Sequence, residues 1–344
     1  MRCDWRSPQT LLAFRCCRTG YDRASYGKAR GHPHPSSCGD DARADGECET
    51  TMPTRTADFR ILATADGSAP ARAAVATLVD VPWPESARVR VVAARNTRAP
   101  HRRSILLSAL DQSADAAAER ARRVLAKRWP DAEAVVVDKV PIAGILAEAE
   151  RFRADVIVVG WRGHGPVRRL LMGSVSRGVV RAATCSVLVV RRRPAHVQTI
   201  VIGFDGSPNA RRAVSLVASF SAPRDGQVTL IGVVGPAPTA RGPAVAGIRR
   251  SVAREVRRIT AERSSAAMKG LNGAAAELKR AGWRTRVELR TGEPLRELVS
   301  AANRSRPQLL VVGARGTTGM RHLLLGSVAE GVLSRSQVPV LVAR

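Results

Sequence analysis

Glycines and a serine recur in one fixed frame, Gly160-x-x-Gly163-x9-Gly173-Ser174, which returns 153 positions later as Gly313-x-x-Gly316-x9-Gly326-Ser327. The chemistry such a frame suits is the holding of an anion. Glycine lets backbone N–H groups approach a ligand without a Cβ in the way, and a Gly-Ser pair that opens a helix adds free N–H groups, the positive end of the helix dipole and a hydroxyl donor. A single G-x-x-G is most often an ordinary turn or helix cap. Here the frame and its serine both recur, and 17 of 38 positions are identical between Ala154–Arg191 and Pro307–Arg344. Coincidental turns are a poor account of that repetition, because loop residues such as His164-Gly165-Pro166 and Thr317-Thr318-Gly319 have diverged around it.

The elements that must position this frame repeat as well. In the first copy, an apolar run at Phe59–Ala65 ends in Asp66-Gly67-Ser68. A helix at Ala69–Val79, the Pro82-Trp83-Pro84 turn, a strand at Val89–Ala94 and an alanine-rich helix at Ser113–Trp129 follow. A strand at Ala134–Val140, a helix at Ile142–Phe152, a buried strand at Val156–Gly160, a helix near Ser174–Ala183 and a strand at Val187–Arg191 complete the copy. The second copy reads Thr199–Phe204, Asp205-Gly206-Ser207, Ala210–Phe220 and Val228–Val234. Then come a long helix at Arg249–Ala281 with Gly270 and Gly273 as candidate breaks, Arg284–Arg290, a helix opened by Gly292-Glu293-Pro294, and Leu309–Gly313. Strands alternating with helices predict α/β architecture: parallel sheets with helices on both faces, doubly wound, in two tandem domains. Each glycine frame then lies beyond the carboxyl end of a fourth strand, where such sheets bind ligands.

A length of 344 residues and 44% hydrophobic content agree with two domains that each bury a core. The net charge of +27 divides as +1 over residues 1–51, +12 over 52–195 and +14 over 196–344, so the basicity belongs to the domains. A field of that sign attracts nucleotides, nucleic acids and other polyanions. The bland reading is a solvated basic surface, since the basic residues are scattered singly. Residues 1–56 differ in kind. Five of the six cysteines lie there without C-x2-C spacing, which argues against zinc, and no periodic or signal-peptide pattern is present. They read as a disordered or mis-started leader, with translation expected to begin at Met52. Past it no apolar stretch approaches membrane-spanning length, and Cys185 alone among the thiols suits a reducing cytoplasm.

Both halves resemble the universal stress protein family, in particular its ATP-binding branch, through the intact G-x2-G-x9-G-[S/T] frame and through Asp-Gly-Ser at the end of each first strand. The resemblance covers about residues 57–344: domain 1 over 57–191, a linker over 192–198 and domain 2 over 199–344. It implies five-stranded sheets in the order 3-2-1-4-5, paired through their last strands at Val187-Leu188-Val189 and Val340-Leu341-Val342; a homodimer of whole chains remains open. It also implies ATP as ligand, with Asp66 and Asp205 at the adenine or ribose end. The phosphate loops would be Gly160, Gly163, Gly173 and Ser174 in one copy and Gly313, Gly316, Gly326 and Ser327 in the other. Arg162 and Arg315 keep a basic side chain in both loops, against the alternative of solvent-facing loop charges. Val175 and Val328 follow the serines as in the family, although helix-to-sheet packing is the stronger reading for them. Val233 matches the family's valine beside the adenine, whereas the first copy has Ala94. Gly292-Glu293-Pro294 corresponds to Lys139-Val140-Pro141, so the second site is expected to be the more family-like.

Neither a Walker A loop nor a His-x-Gly-His or Ser-Gly-Gly-x-Asp-Ser signature occurs, and His164 and His322 sit at non-equivalent positions, so a dedicated catalyst is not indicated. Asp66 and Asp205 could help hold Mg²⁺ on a triphosphate, but one carboxylate per site is thin support for hydrolysis beyond slow turnover. The reading is a nucleotide-dependent stress-response module. A basic polyanion- or nucleic-acid-associating protein modulated by nucleotide, or a slow ATPase, is the alternative.

Overall fold

A computed structural model describes residues 58–95, 105–162, 172–194, 196–235, 246–317 and 325–344, with side chains described outside 105–112 and 246–251. The expected leader, 1–56, and Gly163 lie outside the described residues. Ten strands alternate with eight helices among them: β1 (Arg60–Thr64), α1 (Ala69–Asp80), β2 (Arg88–Ala94), α2 (Ile105–Ala126), β3 (Glu133–Val137), α3 (Pro141–Phe152), β4 (Val156–Gly160), α4 (Ser174–Ala182) and β5 (Ser186–Val190) in the first half. The second half runs β6 (Thr199–Gly203), α5 (Pro208–Ala218), β7 (Gln227–Val234), α6 (Ala246–Arg280), β8 (Arg284–Thr291), α7 (Pro294–Ser305), β9 (Leu309–Gly313), α8 (Ser327–Arg335) and β10 (Val340–Ala343).

The strands form one sheet in the order β3-β2-β1-β4-β5-β10-β9-β6-β7-β8. Each half therefore has the expected 3-2-1-4-5 order with parallel neighbours. At the centre β5 and β10 run antiparallel, Val187 opposite Val342, Leu188 opposite Leu341 and Val189 opposite Val340. The alternation of a strand's side chains sorts the core into two apolar clusters, one on each sheet face. Ile61, Ala63, Ile200 and Ile202 pack with α1, α2, α5 and α6 residues such as Leu78, Leu125, Val217 and Leu278. Leu62, Ile157, Val159 and Val201 pack with α3, α4, α7 and α8 residues such as Ile145, Val179, Leu298 and Val332. All five positions of β4 and of β5 are buried, as strands covered on both faces require.

Two expectations needed correction. The alanine-rich helix begins at Ile105, earlier than Ser113, and ends at Ala126, where the chain turns ahead of Trp129. Gly270 and Gly273 do not interrupt α6, which runs 35 residues unbroken. Around them Leu271, Ala274, Ala275 and Leu278 are buried against the sheet, and that packing outweighs the roughly 1 kcal/mol helical penalty of each glycine.

Pro82-Trp83-Pro84 is more than a turn. Trp83 is fully buried, stacks on Phe59 of the first half and meets Phe220 of the second edge-on, with centroids 5.0 Å apart. Beside it, Ser221 N donates to Pro82 O at 2.8 Å and Ser221 Oγ to Trp83 O at 3.2 Å. The segment between the halves is pinned by Asp80, whose buried carboxylate accepts from Arg193 Nε at 2.6 Å and Nη2 at 3.1 Å.

Candidate nucleotide site

Asp-Gly-Ser performs the same local task in both halves. After β1, Asp66 Oδ1 accepts from Ser68 N at 2.9 Å, Gly67 takes φ +77°, and Ser68 Oγ accepts from Ala71 N at 3.2 Å. After β6, Asp205 Oδ1 accepts from Ser207 N at 3.0 Å, Gly206 takes φ +76°, and Ser207 Oγ accepts from Ala210 N at 3.1 Å. The aspartate closes a turn, the left-handed glycine reverses the chain, and the serine caps α1 or α5. Both aspartates are exposed at the carboxyl end of a first strand.

In the second half Asp205 also reaches the glycine loop. Its Oδ2 accepts from Thr317 N at 3.1 Å, and a Cβ placed on Gly316 would stand 2.5 Å from that oxygen. Any larger residue at 316 must push the carboxylate off the loop. Ser207 Oγ and Asn209 Nδ2 each donate to Arg315 O at 3.2 Å, stitching the first turn of α5 to the same loop. Sequence reading missed Asn209, because a lone polar residue in a helix's first turn looks like a surface position; here it is buried. Pro70, which stands at the equivalent place in the first half, has no donor to offer. There the stitch comes from the other side: Ser176 Oγ donates to Gly160 O at 2.6 Å, and the second half has Ala329 at that position.

The frame's first glycines have a packing reason. A Cβ on Gly160 would lie 2.6 Å from Pro70 C, and one on Gly313 would lie 3.0 Å from Ala210 N, so each lets a helix start close over the sheet edge. The third glycines close the loops: Gly173 N donates to Trp161 O at 2.9 Å and Gly326 N to Ala314 O at 2.8 Å. Both are also the N-caps of α4 and α8, and neither cap carries a side-chain hydrogen bond. The first N–H groups of both helices thus keep their capacity for an acceptor. Ser174 and Ser327 stand exposed at the first helical position. Val175 and Val328 are half-buried and pack into the apolar cluster beneath, so their contact is with the sheet.

Positive charge gathers at the carboxyl ends of the strands in each half, which the antiparallel β5–β10 pair places at opposite ends of the sheet. Burial, and next the neighbouring Arg162, hold the Arg191 guanidinium below its ordinary value; burial, and next Arg315, do the same to Arg344. An anion placed among either pair would relieve their repulsion. Arg162 is half-buried and Arg315 exposed.

The two halves differ at the other side of the cleft. Ala94 faces Val137 across β2 and β3, whereas Val233, half-buried, faces Arg290 across β7 and β8. Gly292 takes φ +151°, in the region that favours glycine, and Glu293 then caps α7, its carboxylate accepting from Leu295 N at 3.1 Å and Arg296 N at 2.8 Å. In the first half Lys139 has no positive φ, and the N-cap Val140 makes no side-chain bond.

Comparison with known proteins agrees with this architecture. The model of the Universal stress protein family matches residues 59–191 and again 196–344. A universal stress protein of Mycobacterium tuberculosis (strain H37Rv) is 33% identical over 203 residues, 56% of this chain and 62% of that relative, so the match spans less than two thirds of its length. A universal stress protein of Mycolicibacterium smegmatis is 28% identical over 320 residues, covering 83% of this chain and 97% of that one. The crystal structure of a universal stress protein from Archaeoglobus fulgidus shares the fold at a TM-score of 0.56 and 18% identity, over 84% of this chain and 99% of that chain.

Proposed function

The chain belongs to the universal stress protein family, and from that premise we propose that it is a stress-response protein that binds adenine nucleotide at its two glycine loops and changes its partner contacts with nucleotide state. The observation that carries this reading is the pairing of a helix N-terminus that has no side-chain cap with a glycine loop packed so closely on Asp205 that a Cβ on Gly316 would stand 2.5 Å from its Oδ2. The residues fit ATP. Backbone N–H groups at Gly173–Ser174 and Gly326–Ser327 would take phosphate oxygens, with Arg162 and Arg315 close by, and Val233 would offer an apolar face to adenine. Asp66 Oδ1 is engaged in the local turn, and both oxygens of Asp205 are engaged, Oδ1 by Ser207 N and Oδ2 by Thr317 N, which a ligand would have to replace. The two carboxylates would serve the ribose or a Mg²⁺ ion carried with the phosphates. We assign the chain to the cytoplasm, and the domains to 57–191 and 199–344, acting as one intrachain pair through β5 and β10. No described helix is long and apolar enough to cross a membrane.

The test is mass spectrometry of ligand released from protein purified without added nucleotide, on wild type and on Gly173→Val and Gly326→Val. Adenine nucleotide is expected from wild type, with the larger loss in Gly326→Val because the second site keeps Val233 and Gly292. Recovery of no nucleotide from wild type, together with no uptake of added ATP, would overturn the reading.

One observation favours association with a polyanion as a second reading. Between Val252 and Gly270 α6 has no buried residue, and it carries Arg254, Arg257, Arg258, Arg263 and Lys269 against Glu255 and Glu262. If this helix lies along a nucleic-acid backbone, affinity will fall steeply as salt rises. No binding at low salt removes that reading.

A further inference from the structure

The sheet ends in two open strands, β3 and β8, and they differ in what they present. β8 carries Arg286 and Arg290 on either side of Glu288, joined by ion pairs along the strand. Antiparallel pairing of two copies about its middle, at Val287 or Glu288, would set Arg284 against the partner's Arg290 or Glu288 against the partner's Glu288. Like charges directly opposite disfavour such pairing, which is one way sheets protect an edge. β3 reads Glu-Ala-Val-Val-Val, with Ala134 exposed and Val135, Val136 and Val137 half-buried, and lacks that protection.

The direction of the backbone groups of β3 follows from one bond. Arg95 N donates to Val137 O at 2.9 Å, so the N–H and C=O of Glu133, Val135 and Val137 point to β2, and by alternation those of Ala134 and Val136 point outward. The outward groups meet no partner among the described residues. Charges at this edge divide as clearly. Glu133 is taken by Arg90 at 2.7 Å and Asp138 by Arg95 at 3.3 Å, both across to β2. Asp131 and Lys139, exposed just beyond either end of the strand, form no ion pair among the described residues.

We propose that β3 pairs antiparallel with β3 of a second copy of this chain, about a two-fold axis at Val135. Ala134 then stands opposite the partner's Val136, a pair that exchanges both N–H to C=O bonds, and Val135 faces the partner's Val135 in the closer position without such bonds. Opposed residues lie on the same sheet face, and Asp131 falls opposite the partner's Lys139 at each end. A one-residue slip would set Glu133 against the partner's Asp138 and exchange the faces. The contact is self-complementary and continues the sheet through both chains. The net charge of +27 opposes association at a distance, but it is screened beyond about 8 Å at physiological salt, whereas the Asp131–Lys139 pairs act at close range. The pairing needs no nucleotide, so its failure and that of the nucleotide reading are separate.

The test is sedimentation velocity of the full chain at micromolar concentration, in physiological salt with reductant and without nucleotide. Wild type is expected to be a dimer. Ala134→Pro removes an outward N–H at an exposed position and leaves the bonds to β2 in place, so it should be monomeric. Asp131→Lys and Lys139→Asp each set like charges opposite and should weaken the dimer about tenfold, while the double exchange restores it. Both are exposed positions, so the exchange decides the matter even where Ala134→Pro folds poorly. A monomeric wild type, a dimer that persists in Ala134→Pro with an unchanged melt, or a double exchange no stronger than the single ones would overturn the proposal.

Discussion

At the scale of single residues, the proposed site turns on Gly316 and Asp205. With a Cβ only 2.5 Å from Asp205 Oδ2, Gly316→Ala must displace the carboxylate from Thr317 N, and we expect it to weaken nucleotide binding at the second loop at least about tenfold, or 1.4 kcal/mol, by calorimetry. Retention of full affinity would separate Asp205 from the ligand. Cys185 gives a second prediction. Burial pushes its thiol up to about 11 from 9.0, so the folded state favours the protonated form. Its raised value means that its contribution to stability is complete below about pH 9 and lost as pH rises from 9 to 11. Thermal melts should show that loss in wild type and not in Cys185→Ala, and peptide mapping should show slow alkylation of folded Cys185 at neutral pH. The glycine frame itself was legible because it repeats. The reasons for its individual glycines were not: Gly160 and Gly313 serve the approach of α1 and α5, a contact that only the folded chain brings about.

Among the elements, α3 and α7 occupy equivalent places and start differently. Glu293 satisfies two N–H groups at the start of α7, while Val140 satisfies none for α3. Glu293→Ala should therefore cost about 0.5–2 kcal/mol in a denaturant melt, whereas Val140→Ala should leave helix capping unchanged. Equal losses from the two would contradict the capping difference. Strand and helix order could be read from the sequence because apolar runs such as Val156–Gly160 and Leu309–Gly313 can hardly be anything but buried strands, and both emerged with those limits. The expected breaks in α6 were misjudged for a physical reason. Propensity treated Gly270 and Gly273 as breaks, but the contacts of Leu271 and Leu278 with the sheet decided the matter.

For the whole molecule, the two halves are joined at more than one place. β5 and β10 complete a single sheet, Arg191 and Arg344 each donate to backbone carbonyls near the end of the other half's helix, and Trp83 plugs the seam on the opposite face. Trp83→Ala should cost about 3–5 kcal/mol, and because its ring meets Phe220 both halves should melt earlier. A melt in which only one half is affected would show that the seam is not shared. The tandem repeat was expected from the duplicated glycine frame, and the pairing edges at the two Val-Leu-Val runs from the family resemblance. The aromatic plug was not, because Pro-Trp-Pro reads as a turn until Phe59 and Phe220 are brought to it from residues far along the chain.

The central claim is that the open N-termini of α4 and α8 receive phosphate, and the most direct measurement is calorimetric titration of ATP into wild type and into Ser174→Glu/Ser327→Glu. Both serines are exposed at the first helical position, where an added carboxylate favours the helix dipole while repelling phosphate. The account predicts saturable binding to wild type and its loss in a double variant that melts no earlier. Unchanged ATP affinity in that variant would contradict it.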